Sequence, residues 1–288
     1  MTDRSAAATA EQPLLWLVAT PIGNMADIAP RAVQVLREVS FVACEDTRRT
    51  GLLLQRLGIG QRPLLAVHEH NEAVACEQVV KRLVAGETAA YVTDAGMPGI
   101  SDPGQRLVEA AAAAGVLISV VPGPSAPIAA LAVSGLPTQR WIMEGFLPRS
   151  GETREARMAE IAVSGRTVVL LESPRRVGAT LAELADACGS DRLAVVAREL
   201  TKLHEEVCRG TLAELATRFG DPPKGEIVVV IGPAASAAPS DDEIQAELAN
   251  ELAAGVSARD AAAAVARKLG VGRNRVYPLA VALAGARD

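Results

Sequence analysis

The sequence predicts an α/β protein with a parallel-sheet N-terminal domain, a mixed-sheet second domain and a C-terminal helical extension. Three observations predict this class. In the first half, short apolar runs alternate with polar loops and amphipathic segments, an order typical of parallel strands joined by right-handed crossovers. The 288 residues are 49% hydrophobic but only 2% aromatic, as expected where aliphatic side chains cover both faces of a sheet. A chain of this length also suggests two domains.

The predicted elements of the first domain repeat the order strand, polar loop, helix. A helix with Asp27 as its N-cap and Pro30 in its first turn follows the first strand, and further helices are expected at residues 71–85 and 104–114. The predicted strands are residues 14–20, 41–44, 64–67, 89–93 and 116–121.

Each of these strands runs into a polar cluster. The clusters, in chain order, read PIGN, EDTRRT, HEHNE, DAGMPGISDPG and PGPSAP. Because the carboxyl ends of parallel strands share one edge of the sheet, we expect a ligand crevice there. The fourth cluster is the sharpest: a buried strand stops at Asp94, and glycines follow that let the backbone approach a ligand. An ordinary strand-to-helix connection is the alternative interpretation.

The second half predicts a separate set of elements followed by a helical tail. A short helix ends near Ser134, a strand begins at Trp141, and a bend is expected through Gly210. The other predicted elements are helices at 152–163, 177–188 and 212–219, strands at 167–172, 193–198 and 226–231, a linker at 233–240, and tail helices at 241–252, 257–269 and 273–283. The predicted divisions are a disordered N-terminus (1–12), a first domain (13–125), a second domain (126–233), and the linker and tail (234–288).

The charge distribution favours a regional contact with nucleic acid over a general one. The chain carries a net charge of −5, yet residues 257–288 contain six basic and two acidic residues. The last two predicted helices are joined by a glycine turn and are similar to a helix-turn-helix, so Arg273 and Arg275 are candidate RNA contacts. A helical cap with a solvated face is the alternative.

Several classes of protein are disfavoured. The four cysteines share no CxxC spacing, which argues against a disulfide framework or zinc site, and we find neither a signal peptide nor a membrane span, so we expect a cytoplasmic protein. No GxGxxG follows a strand, and neither a P-loop nor a GxSxG motif occurs. His68 and His70 share a loop with Glu69 and Glu72, but residues two apart in an extended loop point apart, so no metal is predicted.

Taken in order, the motifs resemble a known family. They are VATPIGNMADI, ACEDTRRTGLLLQRLGI, HEHNE, VTDAGMPGISDPG, VPGPSA, EGFLPR, LLESPRR, ARELTK and GEIVVVIG. This set is similar to ribosomal RNA small subunit methyltransferase I, a branch of the tetrapyrrole methylases, over roughly residues 14 to 232. One departure is Met97-Pro98-Gly99, where the family often has Thr-Pro-Leu; it alters the loop but keeps Asp94 and Gly96.

The resemblance implies a homodimeric two-domain enzyme that binds S-adenosyl-L-methionine between its domains. The implied reaction is 2′-O-methylation of a cytidine ribose in the decoding region of 16S rRNA in the small ribosomal subunit. The residues implied for cofactor binding are Asp94, Ala95, Gly96, Pro98, Ser125, Ala126, Leu171 and Glu172. The PIGN turn, with Pro21, Gly23 and Asn24, would lie beside the donor and acceptor space.

The reaction itself requires alignment of donor and acceptor and a group that activates the ribose hydroxyl. We favour Asp46 or His70 as that group; Glu45, His68 and Glu69 are further candidates on the same edge. The cations predicted to hold RNA phosphates are Arg48, Arg49 and Lys202. Each residue has a structural alternative: Glu45 and Asp46 as helix caps, the histidines as hydrogen-bonding partners of their loop, and Arg175 as an ion-pair partner of Glu172.

Two other functions fit parts of the sequence. A tetrapyrrole methylase acting on a corrinoid precursor would share fold and cofactor, but it has no need of the basic tail or the EDTRRT and HEHNE loops. A non-catalytic RNA-binding factor for ribosome assembly would not need the glycine- and proline-rich loops at the sheet edge. A measurement of cofactor binding would distinguish the non-catalytic RNA-binding factor from either methyltransferase.

Overall fold

The computed structural model describes residues 14–68, 70–101, 103–234 and 239–285. The chain divides into two compact units, one up to Ala234 and one from Ala235 onward. The disorder predicted for residues 1–12 and part of the predicted linker, residues 235–238, lie outside the described ranges. So do Glu69, Asp102, Arg287 and Asp288.

The first sheet is wholly parallel, as predicted. Its strands, in the order β3-β2-β4-β1-β5, are all paired in parallel with their neighbours. The strands β2 and β4 are buried along their whole length, which explains why their sequences, FVAC and AAYV, are apolar without alternation. The bounds are β1 (Leu14–Val18), β2 (Phe41–Cys44), β3 (Leu64–Ala66), β4 (Ala89–Val92) and β5 (Leu117–Val121).

Four helices connect these strands: α1 (Pro30–Glu38), α2 (Thr47–Arg56), α3 (Glu72–Val84) and α4 (Gln105–Ala113). The prediction that Asp27 caps α1 is wrong. Asn24 instead caps a short 3-10 turn at Met25–Asp27 by accepting a hydrogen bond from the Ala26 amide, 3.0 Å away. The cap of α1 is Ala29, which forms no side-chain bond, and Pro30 occupies the first turn as predicted.

The second sheet is mixed, also as predicted. Its order is β6-β7-β10-β8-β9, with β6 and β7 parallel and the other neighbours antiparallel. The predicted bend through Gly210 is wrong, because this glycine lies within edge strand β9, paired with Ala194. The sequence EVCRGT lacks an apolar run that would have predicted a strand, because β9 is largely half-buried. The bounds are β6 (Trp141–Phe146), β7 (Thr167–Glu172), β8 (Leu193–Arg198), β9 (Glu206–Thr211) and β10 (Ile227–Ile231).

Helices cover both faces of this sheet. One core contains α6 (Glu152–Val163), α7 (Val177–Cys188) and α8 (Leu212–Arg218), whereas α5 (Ala126–Ser134) packs on the opposite face. Along β10 the side chains alternate between the two cores: Ile227 and Val229 contact the first, Val228 and Val230 the second. Ile22, from the loop after β1, packs in the α5 core and so connects that loop to the second sheet.

The C-terminal unit contains three helices: α9 (Asp241–Ala253), α10 (Ala258–Leu269) and α11 (Arg273–Gly285). They enclose a small core of their own, with Ile244, Leu248 and Val265 fully buried. Gly270 ends α10 in the left-handed conformation (φ 65°), which explains the glycine at this turn. Among the described residues, no helix is both long and apolar enough to cross a membrane.

The buried Arg192 side chain provides a test of the second domain. Its guanidinium donates to the carbonyl oxygens of Gly232 (2.8 Å), Ala162 (2.8 Å) and Ser164 (3.2 Å). We expect Arg192→Met to lower the free energy of unfolding by about 2 to 4 kcal/mol, since one buried and two half-buried carbonyl oxygens lose their donor. The exposed Arg166→Met is the control. Equal urea midpoints for both variants would contradict the prediction.

Candidate active site

The loops after β1 and β4 are joined at the carboxyl edge of the first sheet. The Thr20 amide donates to the Gly96 carbonyl oxygen at 2.9 Å, and the Gly96 amide donates to the Thr20 carbonyl oxygen at 3.1 Å. The Thr20 hydroxyl also donates to the Thr93 carbonyl oxygen at 3.1 Å. The first and fourth polar clusters therefore form one rigid surface.

An apolar cavity of about 350 Å³ lies between this surface and the second sheet. Its walls come from the loop after β4, the N-terminus of α5 and the ends of β7 and β10. The predicted cofactor residues that line it are Ala95, Gly96, Ser125, Ala126, Leu171 and Glu172. Pro98 is buried within the loop but does not line the cavity, and Asp94 lies in a neighbouring cavity.

Two features of the cavity wall, at Gly96 and Ser125, suit it to a bound ligand. Gly96 has φ 85°, a conformation that other residues rarely adopt, so a glycine is needed where the chain turns along the cavity wall. Ser125 is the N-cap of α5, yet its side chain forms no capping hydrogen bond. Its hydroxyl is therefore available to a ligand beside the helix N-terminus.

The Glu172 carboxylate is engaged by the protein itself. It accepts hydrogen bonds from the Thr180 hydroxyl (2.8 Å), the Arg176 guanidinium (3.1 Å) and the Ser173 amide (2.7 Å). Its ion-pair partner is Arg176, so the alternative that Arg175 fills this role is wrong. This network fixes the end of β7 at the cavity wall.

A second, charged cavity of about 290 Å³ adjoins the first. The two share Ile22, Ala95 and Glu226 as lining residues. Among the predicted site residues, the second cavity is lined by Pro21, Gly23, Arg49, Asp94 and Lys202. Asn24 and Arg48 line neither cavity.

Asp94 has an unusual environment for a carboxylate. Its Oδ2 pairs with the Arg49 guanidinium at 3.0 Å, while its buried Oδ1 has no hydrogen-bond partner among the described residues. Its backbone amide donates to Glu45 Oε2 at 3.2 Å. Burial raises the pKa of Asp94, and the nearby charges of Glu45 and Asp46 add to this, whereas Arg49 opposes it.

Asp46 has the opposite environment. It is the N-cap of α2 and accepts hydrogen bonds from the backbone amides of Arg48 (2.8 Å) and Arg49 (3.4 Å). The Arg48 guanidinium, 88% exposed, also pairs with it at 3.1 Å. These bonds, that of the Arg48 side chain first, lower the pKa of Asp46 to about 2. Asp46 therefore caps a helix, as its structural alternative predicted. Glu45 does not cap a helix, because its carboxylate accepts a hydrogen bond from the Asp94 amide.

The PIGN turn packs against the loop Glu199–Lys202 of the second domain. A Cβ at Gly23 would lie 2.4 Å from Lys202 Cγ and 2.7 Å from Thr201 Oγ1, so no side chain fits there. The Asn24 amide donates to Thr201 Oγ1 at 3.1 Å. Glu199 and Thr201 both have positive φ (52° and 67°), a strained backbone that is common at functional sites.

Lys202 is held between two carboxylates. Its ammonium donates to Glu199 Oε1 at 2.7 Å and to Glu226 Oε2 at 3.1 Å. Burial disfavours the charged form, but the two glutamates outweigh it and raise the pKa of Lys202. The sequence analysis did not single out Glu199, Thr201 or Glu226, although the motifs ARELTK and GEIVVVIG contain them. Pairing of these two motifs is a long-range contact that local patterns do not encode.

The histidines lie at the edge of the first sheet. They follow β3, which is separated from β4 by β2, and neither lines the two cavities. His70 is exposed, and its ring centroid is 6.0 Å from that of His68. Within the described ranges, which omit Glu69, no three histidine, cysteine or acidic residues form a group that could hold a metal ion.

In the C-terminal unit, the two predicted RNA contacts differ in their environments. The Arg275 guanidinium is paired with Asp241 Oδ1 at 2.8 Å. Arg273 donates to the Arg259 carbonyl oxygen at 3.4 Å, and neither Arg273 nor Arg259 forms an ion pair among the described residues. The partly exposed Tyr277 lies in the same shallow depression as these two arginines.

Comparison with known proteins gives consistent matches. The family model "Tetrapyrrole (Corrin/Porphyrin) Methylases" matches residues 14–216. The chain is 50% identical over 224 residues to ribosomal RNA small subunit methyltransferase I of Xylella fastidiosa, covering 77% of this chain and 82% of that one. It is 42% identical over 277 residues to the protein of the same name from Synechocystis, covering 94% and 98%.

Solved structures share the fold at lower identity. A cobalamin biosynthetic enzyme, cobalt precorrin-4 methyltransferase, aligns with a TM-score of 0.59 at 19% identity, covering 79% of this chain and 98% of that chain. Uroporphyrin-III C-methyltransferase from Thermus thermophilus, complexed with S-adenosylhomocysteine, aligns with a TM-score of 0.54 at 19% identity, covering 76% and 96%.

The Asp46 cap predicts a specific pH dependence. Asp46→Asn keeps an acceptor at the start of α2 but removes the titrating carboxylate. Because the pKa of Asp46 is about 2 in the folded state against an ordinary 3.8, its ionised form stabilises the protein above pH 3.8 and this contribution is lost as the pH falls toward 2. We expect the wild type to have the higher urea midpoint at neutral pH, with the difference shrinking in acid. A difference that stays constant as the pH falls from 5 to 3 would refute this. Exposed Asp221→Asn, which removes the same charge elsewhere on the surface, is the control.

Proposed function

Because this chain belongs to the ribosomal RNA small subunit methyltransferase I family of the tetrapyrrole (corrin/porphyrin) methylases, we propose that it methylates 16S rRNA at a cytidine in the decoding region. It is a methyltransferase that uses S-adenosyl-L-methionine, and the proposed acceptor is the ribose 2′-hydroxyl. The observation that carries the proposal is the pair of adjoining cavities, one apolar and one charged, which share Ile22, Ala95 and Glu226 as lining residues.

The apolar cavity fits the cofactor. Gly96 turns the chain along the wall without a side chain that would fill the cavity, Ala95 and Ala126 are small, and the Ser125 hydroxyl has no capping bond to lose. We assign cofactor contacts to these residues and to Leu171, with Glu172 positioning the end of β7 and Pro98 shaping the loop. The cofactor supplies an activated methyl group on a sulfonium; the protein supplies alignment and exclusion of water.

The charged cavity suits a nucleic-acid acceptor. Arg49, Arg56 and Lys202 contribute cations to its wall, beside Pro21 and Gly23 of the PIGN turn. We propose that these cations, with Arg48 and Asn24 at the surface nearby, contact the RNA backbone. To reach a phosphate, Lys202, whose side chain is 27% exposed, exchanges its bond to Glu226, which is 73% exposed, while its 2.7 Å bond to Glu199 keeps it beside the cavity.

Each of the three residues predicted to activate the ribose hydroxyl, Asp46, Glu45 and His70, has a feature that limits this role. With a pKa of about 2, Asp46 binds a proton weakly at neutral pH. Glu45 is occupied by the Asp94 amide, and His70 lies one strand beyond β2, outside the lining of both cavities. Their assignment as catalytic residues remains a proposal that substitution can test.

The C-terminal unit is proposed to add RNA affinity. Arg259 and Arg273 have no carboxylate partner among the described residues, and with the Tyr277 ring they form one surface suited to phosphate contact and base stacking. Arg275 is already neutralised by Asp241, so we expect it to contribute less. We further propose that the enzyme acts in the cytoplasm as a homodimer.

The corrinoid alternative has weaker support. The uroporphyrin-III and cobalt precorrin-4 methyltransferases that share the fold are 18–19% identical to this chain, whereas the ribosomal RNA enzymes are 42–50% identical over most of it. The family membership also disfavours a non-catalytic assembly factor.

Methyl transfer to ribosomal particles tests the function. Purified protein with methyl-labelled S-adenosyl-L-methionine should label 30S particles from a strain that lacks the enzyme, and mass mapping should place the label on one cytidine ribose. Particles from a strain that retains the enzyme are the control and should stay unlabelled. Label on a base, on another RNA, or only on a tetrapyrrole precursor would overturn the proposal.

The tail surface is tested by charge reversal in the full-length protein. We expect the double variant Arg259→Glu/Arg273→Glu to raise the KM for 30S particles roughly tenfold with little change in kcat, because two phosphate contacts are lost. The variant Arg140→Glu/Arg166→Glu changes the net charge equally at exposed positions outside the tail. Equal KM values for the two variants would show that overall charge, not this surface, governs binding.

A further inference from the structure

The Asp94 carboxylate lines the charged cavity and not the apolar one. The next residue, Ala95, lines both, so Asp94 lies one residue from the boundary between donor and acceptor spaces. Sequence reasoning assigned Asp94 to the cofactor. The geometry points instead to the acceptor side: we propose that Asp94 is the catalytic base that receives the hydroxyl proton of the RNA, an inference that rests on the proposed function.

The hydrogen bonding of Asp94 leaves it able to accept a proton donor. Oδ1 has no partner among the described residues, and Oδ2 is bound by one guanidinium, that of Arg49, which is 69% exposed. The backbone is fixed by the bond from its amide to Glu45 and by the bridge between the adjoining Gly96 loop and Thr20. Because Oδ1 is buried, the oxygen that can reach a ligand in the cavity is Oδ2, once its guanidinium partner moves away.

Several charged and titratable groups surround this carboxylate. From β2 and the turn into α2 they are Cys44, Glu45 and Asp46; from α2 they are Arg49 and Arg56; from the second domain they are Lys202 and Glu226. The pKa of Asp94 is raised, mainly by burial and also by the charges of Glu45 and Asp46, whereas the Arg49 charge lowers it. The carboxylate therefore binds a proton more readily than an exposed aspartate does, as a general base requires.

The step balances without a further reactant. The ribose oxygen forms a bond to the methyl carbon as the carbon–sulfur bond breaks, and the sulfur keeps the bonding electron pair. The hydroxyl proton passes to Asp94 and leaves to solvent after product release. Arg49 has two roles in this scheme. In the free enzyme it pairs with Asp94. When RNA binds, Arg49 moves to a phosphate, and Oδ2 of Asp94 becomes free to accept the hydroxyl proton.

The other acids nearby fit this role less well. Asp46 is committed to the start of α2 by two backbone amides and the Arg48 side chain. The Glu45 carboxylate is taken by the Asp94 amide. Glu226 lines both cavities but is bound to the Lys202 ammonium. Of the two acids that line the charged cavity, Asp94 and Glu226, only Asp94 has a buried oxygen without a partner in the described part of the chain.

The test separates proton transfer from cofactor binding. We expect Asp94→Asn to slow single-turnover methyl transfer to 30S particles by about 100-fold or more, with the Kd for S-adenosyl-L-methionine, measured by calorimetry, changed less than threefold. Retained cofactor binding also shows that the variant is folded. Asp191→Asn, exposed and remote from both cavities, should behave as wild type in both measurements.

A pH profile provides a second readout. The wild-type kcat/KM for 30S particles, which reports the free enzyme in which Arg49 pairs with Asp94, should fall in acid as Asp94 becomes protonated, with cofactor affinity unchanged over the same range. Arg49→Met should shift this acid limb to higher pH, because Arg49 opposes the rise in the pKa of Asp94. A merely structural aspartate would not produce this shift.

Two failures are distinguishable. If wild type transfers no methyl to 30S particles, the proposed function is overturned and the inference with it. If wild type is active and Asp94→Asn transfers at a similar rate, or loses activity only through weaker cofactor binding that saturating cofactor restores, only the inference is overturned. An acid limb that stays in place in Arg49→Met would also overturn it.

Discussion

The parallel alignment of the five strands in the first sheet is the constraint on which the site depends. It places every strand's following loop on one edge, and the hydrogen bonds between Thr20 and Gly96 then join the loops of the neighbouring strands β1 and β4. The second sheet lies opposite this edge, and Ile22 packs in its core. The two cavities exist because a rigid loop surface and a separate sheet enclose space that neither encloses alone.

Charge then divides this space into two chemically different parts. The wall of one cavity is mostly aliphatic side chains and glycine backbone, which suits a neutral or shielded group that must be kept from water. The other contains Arg49, Arg56, Asp94 and Lys202, which suits a polyanion. Glu45 and Asp46 are not among its lining residues but raise the pKa of Asp94, and the partners of these three carboxylates give them different roles: contact to backbone, helix cap, and an under-bonded acid.

The second domain contributes geometry more than reactive groups. Glu199 and Thr201 adopt strained backbone conformations, and the close approach of Gly23 to Lys202 leaves no room for a side chain. Such strain persists only where surrounding contacts hold it, and here the bonds from Lys202 and the Glu226 amide to Glu199 do so. This arrangement fixes the PIGN turn against the second domain.

The sequence by itself determined the fold class, most helix and strand positions and the edge of the sheet that carries the site, because apolar periodicity and glycine- and proline-rich loops are local signals. It missed β9, an edge strand with little apolar pattern, and the cap of α1. Only the tertiary structure decided which cavity each residue faces: Asp94 and Ala95 are neighbours in sequence, yet Asp94 lines one cavity and Ala95 lines both. Those relations depend on contacts between residues far apart in sequence, such as Gly23 with Lys202, and no local pattern encodes them.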